Sequence, residues 1–280
     1  MNTESNLGVT RIGDMDFRWG SRTYIMGIIN VSPDSFSGDG QPTLKAAMEW
    51  AKRMVEEGAD IIDVGGESTR PDSNPITAEE ETSRVVPFIE RAVGKIGVPI
   101  SVDTYKTVVA RRAMEAGAAL LNDISGLTWG TGMIELAGKK NTPIVITSNQ
   151  RDNPARDIMS AVINQLKELI EKALKAGVRT ENIIIDPGVG FGKTVEQNLE
   201  IVRRLDELKI LKRPIMLGTS RKSFIGAVLG TPPEERLEGT AATTAIGIMQ
   251  GADIVRVHDV RQIKLIAKMS DAVMKGIDQP

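Results

Sequence analysis

Residues 154–188 read PARDIMSAVINQLKELIEKALKAGVRTENIIIDPG, and this stretch decides the fold. Its first part sets Ile158, Val162, Leu166, Leu169, Ile170 and Leu174 on one stripe, opposite Lys167, Glu168, Glu171 and Lys172. That is the 3.6-residue pattern of an amphipathic helix, predicted over 154–176. Gly177 follows, the residue type that accepts the left-handed turn after a helix. The next apolar run, Ile183-Ile184-Ile185, is too short for a helix. It is apolar on both faces, as expected of a parallel strand buried on both sides. It ends abruptly on Asp186.

The same unit recurs along the chain. Apolar runs at 24–29, 61–64, 99–102, 120–121, 143–146, 183–185, 214–217 and 254–257 read as eight strands. Gly58, Gly117 and Gly251 stand a few residues ahead of three of them, like Gly177. Strand–helix alternation repeated eight times at a spacing of roughly thirty residues predicts an α/β fold, a (β/α)8 TIM barrel of the usual ~250 residues. The count of eight favours it over a doubly wound open sheet. Residues 9–21, with Phe17 and Trp19, are read as a short N-terminal hairpin closing the bottom of the barrel. The extension is placed at 1–22 and the barrel at 23–280. No Pro/Ser-rich linker divides the sequence, so a single domain is expected overall.

Composition removes several function classes. Of 280 residues, 41% are hydrophobic and 26% charged, which excludes disorder as the main state. Thirty-five basic against 37 acidic residues give a net charge of -2, which excludes nucleic-acid binding by bulk charge but leaves room for a local basic pocket. Zero cysteines exclude disulfides, Cys-ligated zinc, iron–sulfur clusters and a Cys nucleophile, and a single histidine excludes a His-rich metal site. The start, 1–8, carries Glu4 and no apolar core, and no run reaches the ~18 apolar residues of a membrane span. A cytoplasmic protein with no membrane or nucleic-acid partner is expected.

The residues directly after each strand carry the chemistry. The first run ends in Asn30, the second in Asp63 and then Gly65-Gly66-Glu67-Ser68-Thr69-Arg70-Pro71. The next four end in Asp103, Asn122-Asp123, Thr147-Ser148-Asn149 and Asp186. The seventh leads into Gly218-Thr219-Ser220-Arg221-Lys222, and the eighth carries Arg256 and His258. In a barrel all these positions converge on the C-terminal mouth, where barrel enzymes keep their sites. Taken singly, Asp103 and Asp123 equally fit helix N-caps. Asp63 reads as a structural acceptor for the Gly-Gly-Glu-Ser turn. His258 alone would be a satisfied, partly buried imidazole. Arg256, two residues earlier on the same strand face, changes that reading. Two cations at one mouth call for an anion, and Arg221 and Lys222 add to the case, because barrel phosphate sites follow strands seven and eight.

Residues 188–194 (GVGFGKT) imitate a phosphate-binding P-loop, but Pro187 occupies the position of its first glycine and Asp186 would repel a triphosphate. The glycines read instead as letting backbone approach a flat ligand. Asp103, Asn122 and Asp186 offer two carboxylates and an amide. A carboxylate accepts two parallel N–H bonds, matching the 2-amino-pyrimidinone edge of a pterin or a guanine. The residues by themselves lead to a small flat heterocycle with an adjacent phosphate.

Seven stretches together resemble the signatures of the dihydropteroate synthase family. They are Asn30-Val31-Ser32-Pro33-Asp34-Ser35-Phe36-Ser37, Asp63-Val64-Gly65-Gly66-Glu67-Ser68-Thr69-Arg70-Pro71, Ser101-Val102-Asp103-Thr104, Asn122-Asp123-Ile124-Ser125-Gly126, Asp186-Pro187-Gly188, Ser220-Arg221-Lys222-Ser223 and Arg256-Val257-His258-Asp259. The match runs in order over nearly the whole chain. The resemblance implies a pterin-binding TIM barrel that condenses 6-hydroxymethyl-7,8-dihydropterin diphosphate with p-aminobenzoate, giving 7,8-dihydropteroate and pyrophosphate in folate biosynthesis. By position it implies Asp103, Asn122, Asp186 and Lys222 on the pterin. Asn30, Arg256 and His258 fall on the diphosphate, with Mg2+ on Asn30. Thr69, Arg70, Pro71, Phe191 and Ser220 fall around p-aminobenzoate. Asn30, Lys222, Arg256 and His258 are thereby the catalytic set, the loops at 31–42 and 65–75 close over the site, and the chain forms a homodimer.

One departure stands out. After strand five the family has a Met-His-Met stretch whose second Met packs beside the pterin. Here Thr147-Ser148-Asn149 stands there, so the pterin is expected to gain Asn149 or Ser148 as a neighbour. That leaves open a synthase using a modified arylamine, of the methanopterin type, or a non-catalytic pterin-binding homologue. Corrinoid-dependent methyltransferases share the carboxylate–amide pterin site but have no use for the cations after strands seven and eight.

Overall fold

The computed structural model describes residues 7–31, 44–67, 74–127, 130–150 and 157–276. Two short strands, β1 (Val9–Ile12) and β2 (Met15–Arg18), pair antiparallel as a hairpin. Eight parallel strands come next: β3 (Tyr24–Asn30), β4 (Ile61–Gly65), β5 (Ile100–Asp103), β6 (Leu120–Asp123), β7 (Ile144–Thr147), β8 (Ile183–Asp186), β9 (Met216–Leu217) and β10 (Ile254–Val257). Hydrogen bonding runs β8-β7-β6-β5-β4-β3-β10-β9. A parallel bridge between Ile185 and Ile215 joins the two ends of that order and closes the barrel.

Helices alternate with the strands outside: α1 (Leu44–Glu56), α2 (Ala78–Ala92), α3 (Thr107–Glu115), α4 (Gly132–Lys140), α5 (Ile158–Lys175), α6 (Val195–Arg203), α7 (Ser223–Leu229), α8 (Leu237–Gln250) and α9 (Val260–Lys275). The fold is therefore the expected (β/α)8 barrel. In α5, Asp157 caps the first turn through the Ser160 N–H at 3.2 Å, and Gly177 takes the left-handed turn at φ 88°. Leu174 departs from the expected stripe: it is 40% exposed, while Ala173 is fully buried. Four-residue steps overshoot the 3.6-residue turn by about 40° each, which carries Leu174 off the face begun at Ile158.

Side-chain parity decides where the site lies. Tyr24, Met26, Ile61, Leu120, Val145, Ile184, Met216 and Ile254 form one interior cluster with Ile12, Phe17 and Trp19 of the hairpin. Phe17 and Tyr24 stack with centroids 4.8 Å apart, and Trp19 Nε1 donates to Thr10 Oγ1 at 2.9 Å. The hairpin thus plugs the N-terminal end. Because strand side chains alternate with period two, residues two and four positions further along each strand also face the barrel axis, nearer the C-terminal mouth.

Candidate active site

That parity aims Asn30, Asp63, Asn122, Thr147, Asp186, Arg256 and His258 at the barrel axis. Register adds Ser101, level with Asp63, and Asp103 two residues above it. Asn30, Gly65, Asp103 and Asn122 stand level across four neighbouring strands, and Thr147 stands level with Asp186. Gly65 opens space in this row: a Cβ there would lie 3.6 Å from Asn30 Oδ1 and 3.7 Å from the Asp103 Cβ. Residues drawn from across the chain therefore form one polar rim above an apolar floor.

Arg256 is the hub of the rim. Its Nε donates to Asp63 Oδ2 at 2.6 Å and its terminal nitrogen to Asp103 Oδ2 at 2.5 Å. Asn122 Nδ2 donates to the same Asp63 oxygen at 3.0 Å. Burial opposes the Arg256 charge, but Asp63 and Asp103 outweigh it and hold its pKa above the ordinary value. Burial pushes the Asp103 carboxyl up to about 7; Arg256 pulls it back down and Asp63 repels it. Burial also raises Asp186 against the pull of Lys222, and lowers Lys222 to about 8 against the pull of Asp186.

A second group surrounds the loop after β8. The Lys222 ammonium donates to the Val189 carbonyl and lies 4.7 Å from the centre of the Phe191 ring. Asp186 Oδ1 accepts from the Gly188 N–H at 2.7 Å. Lys193 donates to the carbonyls of Ser148, Gly188 and Phe191 at 2.9, 2.8 and 3.1 Å. Burial lowers the Lys193 pKa to about 7. Ser220 Oγ accepts from the His258 backbone N–H at 3.1 Å and meets His258 Nδ1 at 2.9 Å.

The structure corrects four readings. Asp63 does not serve the Gly-Gly-Glu-Ser turn; parity turns it into the barrel, where it is completely buried as a partner of Arg256 and Asn122. Arg221 is engaged with Asp259 at 2.6 and 3.0 Å rather than set for an anion. Gly188, at φ 69°, is required by protein rather than ligand, since a Cβ would fall 1.8 Å from the Ser148 carbonyl oxygen. The stretch after β7 does not present Ser148 to the axis. Ser148 and Gln150 bond Gln165 of α5 at 2.6 and 2.7 Å, and Asn149 Nδ2 donates to the Ile124 carbonyl at 3.1 Å. The residue facing inward is Thr147. Neither Asp123 nor Asp103 is a helix N-cap: Asp123 accepts from the Ser125 N–H at 2.8 Å within a turn, well before α4 starts at Gly132, and Asp103 meets Arg256. Thr69, Arg70 and Pro71, and most of 31–42 and 65–75, lie outside the described residues.

Asp63, Ser101 and Thr147 were the inward residues given no place in the site, although a two-residue count from Ile61 and Val145, or back from Asp103, would have found all three. Among the described residues, buried side-chain oxygens without a partner concentrate on this wall: Asp63 Oδ1, Ser101 Oγ, Asp103 Oδ1, Asn122 Oδ1 and Thr147 Oγ1. Buried acceptors left unpaired are destabilising, so the wall is built for a ligand rich in N–H groups. As for a metal, no group of three or more His, Asp or Glu among the described residues could hold one. A Mg2+ that keeps its waters and binds mainly through phosphate oxygens needs few protein donors, and the amide oxygen of Asn30 at the mouth fits that demand.

Comparison with known proteins agrees with this geometry. Residues 26–258 match the family model described as pterin binding enzyme. A dihydropteroate synthase of Clostridium beijerinckii is 51% identical over 267 residues, covering 95% of this chain and 99% of that protein. The dihydropteroate synthase of Clostridium difficile, solved in the presence of pteroic acid, superposes with a TM-score of 0.89 at 50% identity, covering 92% of this chain and 98% of that one. The Xanthomonas albilineans enzyme, solved with 4-aminobenzoic acid, gives 0.87 at 39% identity, over 91% and 94% of the two chains.

Proposed function

This chain belongs to the pterin binding enzyme family, among its dihydropteroate synthases, and from that premise we propose how its barrel mouth joins 6-hydroxymethyl-7,8-dihydropterin diphosphate to p-aminobenzoate. The observation that carries the proposal is the concentration of unpaired buried oxygens on Asp103 and Asn122, level across neighbouring strands, with Asp186 and Lys222 beside them.

In this reading Asp186 takes the 2-amino and ring N–H pair of the pterin in a carboxylate fork. Asn122 Oδ1 and Asp103 Oδ1 accept the two that remain, the second N–H of the amine and the other ring N–H, and Lys222 donates to the ring carbonyl. Phe191, beside the Lys222 ammonium, lines the side from which the arylamine enters; Thr69, Arg70, Pro71 and Ser220 are assigned to its remaining surroundings.

The reaction breaks the carbon–oxygen bond at the pterin methylene and forms a carbon–nitrogen bond to the amine. The amine loses a proton and pyrophosphate departs with the bonding electrons. A neutral arylamine is already nucleophilic, so no strong base is required. The need is positive charge and hydrogen-bond donors where pyrophosphate develops; Arg256 is assigned to supply the charge, with His258 and Asn30 beside it. When bound, Mg2+ would supply further positive charge at the diphosphate, held there by Asn30. If the Ser220 hydroxyl donates to His258 Nδ1, the imidazole carries its proton on Nε2, where it can donate to the leaving group. Arg256 must loosen from Asp63 or Asp103 to reach that group; ring N–H donors arriving at Asp103 would compensate the exchange.

The engagement of Ser148 and Gln150 with Gln165 of α5 favours p-aminobenzoate over a modified amine, because these two side chains are turned away from the axis. The test is pyrophosphate release from the pterin diphosphate, with and without p-aminobenzoate and with and without Mg2+. Release dependent on both supports the proposal. Tight binding of the diphosphate with no amine-dependent release would leave the non-catalytic homologue in its place.

The homodimer and the cytoplasmic setting belong to the same proposal. On α8 and α9, Ile246, Met249, Leu265, Met269 and Val273 are each at least 46% exposed, an apolar surface suited to a second copy. A light-scattering mass of one chain would exclude the dimer. Among the described residues no helix is long and apolar enough to cross a membrane.

A further inference from the structure

Lys193 has no part in the chemistry above. Among the described residues its ammonium meets three main-chain carbonyls and no carboxylate: Ser148 just past β7 at 2.9 Å, and Gly188 and Phe191 past β8 at 2.8 and 3.1 Å. A lysine ammonium has three N–H donors and no acceptor, so this set fills it one for one. The start of the next helix does not call for it. Thr194 and Gln197 form a capping box at the head of α6, and the buried Asn198 ties that helix to the loop by accepting from the Gly190 N–H at 2.6 Å. Taking a charge out of water without a carboxylate partner is costly, so a lysine kept there has a task.

What the ammonium gathers is the turn at 188–191. The Phe191 N–H donates back to the Gly188 carbonyl at 3.0 Å, and the Gln150 N–H donates to the Phe191 carbonyl at 3.3 Å. A Cβ on Gly188 would lie 3.1 Å from Lys193 Nζ, and one on Gly190 3.1 Å from Lys222 Cδ, so the turn is packed between two lysines. Lys222 holds the Val189 carbonyl and faces the Phe191 ring, while Lys193 holds the carbonyls on either side. Asp103, Asn122 and Asp186 stand on strands, and Lys222 stands at the head of α7, but the Phe191 ring is placed by this turn. We propose that Lys193 is a positioning residue for the arylamine half of the site, its ammonium fixing the turn that aims Phe191. The inference rests on the assignment of Phe191 to the amine's side in the function proposed above. A neutral side chain could not serve all three carbonyls, and their dipoles, left converging, would push the turn open.

The test measures amine-dependent pyrophosphate release, and 6-hydroxymethylpterin affinity by calorimetry, on wild type, Lys193→Met, Phe191→Ala and the double variant. Lys193→Met should raise KM for p-aminobenzoate about three- to tenfold, the range of one aromatic contact, with kcat and pterin affinity changed by no more than about twofold. The double variant should show the KM of Phe191→Ala alone, because Lys193 acts through that ring. The chain has no cysteine, so Lys193→Cys can be alkylated at that position alone with 2-bromoethylamine in urea and refolded, which puts an ammonium back. The alkylated chain should recover most of the low KM and the unalkylated one should not; this pair carries the test should Lys193→Met not fold. Pterin affinity falling in step with the rise in KM, additive effects in the double variant, or no recovery on alkylation overturns the assignment. Absence of amine-dependent release from wild type would overturn the functional reading beneath it, a distinct result.

Discussion

Replacing Arg256 by Met keeps much of the side-chain volume and removes the charge that joins Asp63 to Asp103. The guanidinium sits 2.6 Å from one carboxylate and 2.5 Å from the other, and the Asp63 side chain is completely buried. Removing one partner of a buried ion pair costs about 3–5 kcal/mol. Protonation offers a relief that makes the loss depend on pH. The Asp103 pKa, about 7 in the folded protein, lies above its ordinary value. Its contribution to stability is therefore fully present below about pH 4 and is lost as pH rises through 7, beyond which it is constant. Without Arg256 the folded pKa of Asp103 rises further and the decline continues above 7, at about 1.4 kcal/mol per pH unit. The gap between wild type and Arg256→Met should widen by about 2 kcal/mol between pH 7 and 8.5. Urea denaturation at pH 5.5, 7 and 8.5 measures this, and the double variant carrying Asp103→Asn as well should lose the widening. A gap that stays constant with pH, or no gap at all, would refute the account of Arg256 as the counter-charge that keeps Asp103 ionisable.

Lys222, lowered to about 8 by burial, should lose its proton as pH rises through that value, so affinity for 6-hydroxymethylpterin should fall up to tenfold per unit above it. Lys222→Arg should bind without that alkaline fall; a wild-type affinity constant up to pH 9.5 contradicts the ammonium's role. Gly188→Ala should destabilise by at least ~2 kcal/mol, because it combines an unfavourable positive φ with a Cβ 1.8 Å from the Ser148 carbonyl oxygen, and an unchanged melting temperature would disprove the close approach.

The architecture was legible because it is written in local patterns. Apolar runs such as 183–185 must be buried on both faces, helices such as α5 announce themselves by a stripe, and eight repeats of that pairing leave few ways to bury every strand. The identity of the rim residues was legible for the same reason: polar residues directly after apolar strands lie at one end of a parallel barrel. Period-two alternation, counted from the floor residues, would also have turned Asp63 and Thr147 inward.

Partnership was not legible. Whether Arg256 faces an incoming anion or two resident carboxylates depends on distances between strands 153 and 193 residues apart in sequence, and no local rule sets these. Likewise Arg221 meets Asp259, and Gly188 answers to a carbonyl just past the end of β7 rather than to a ligand. The sequence by itself determined which side chains reach the mouth, since strand period and strand order are local and topological. Only the tertiary structure decided which of them neutralise one another and which keep an unfilled valence for a ligand, because charge pairing and desolvation depend on distances through space.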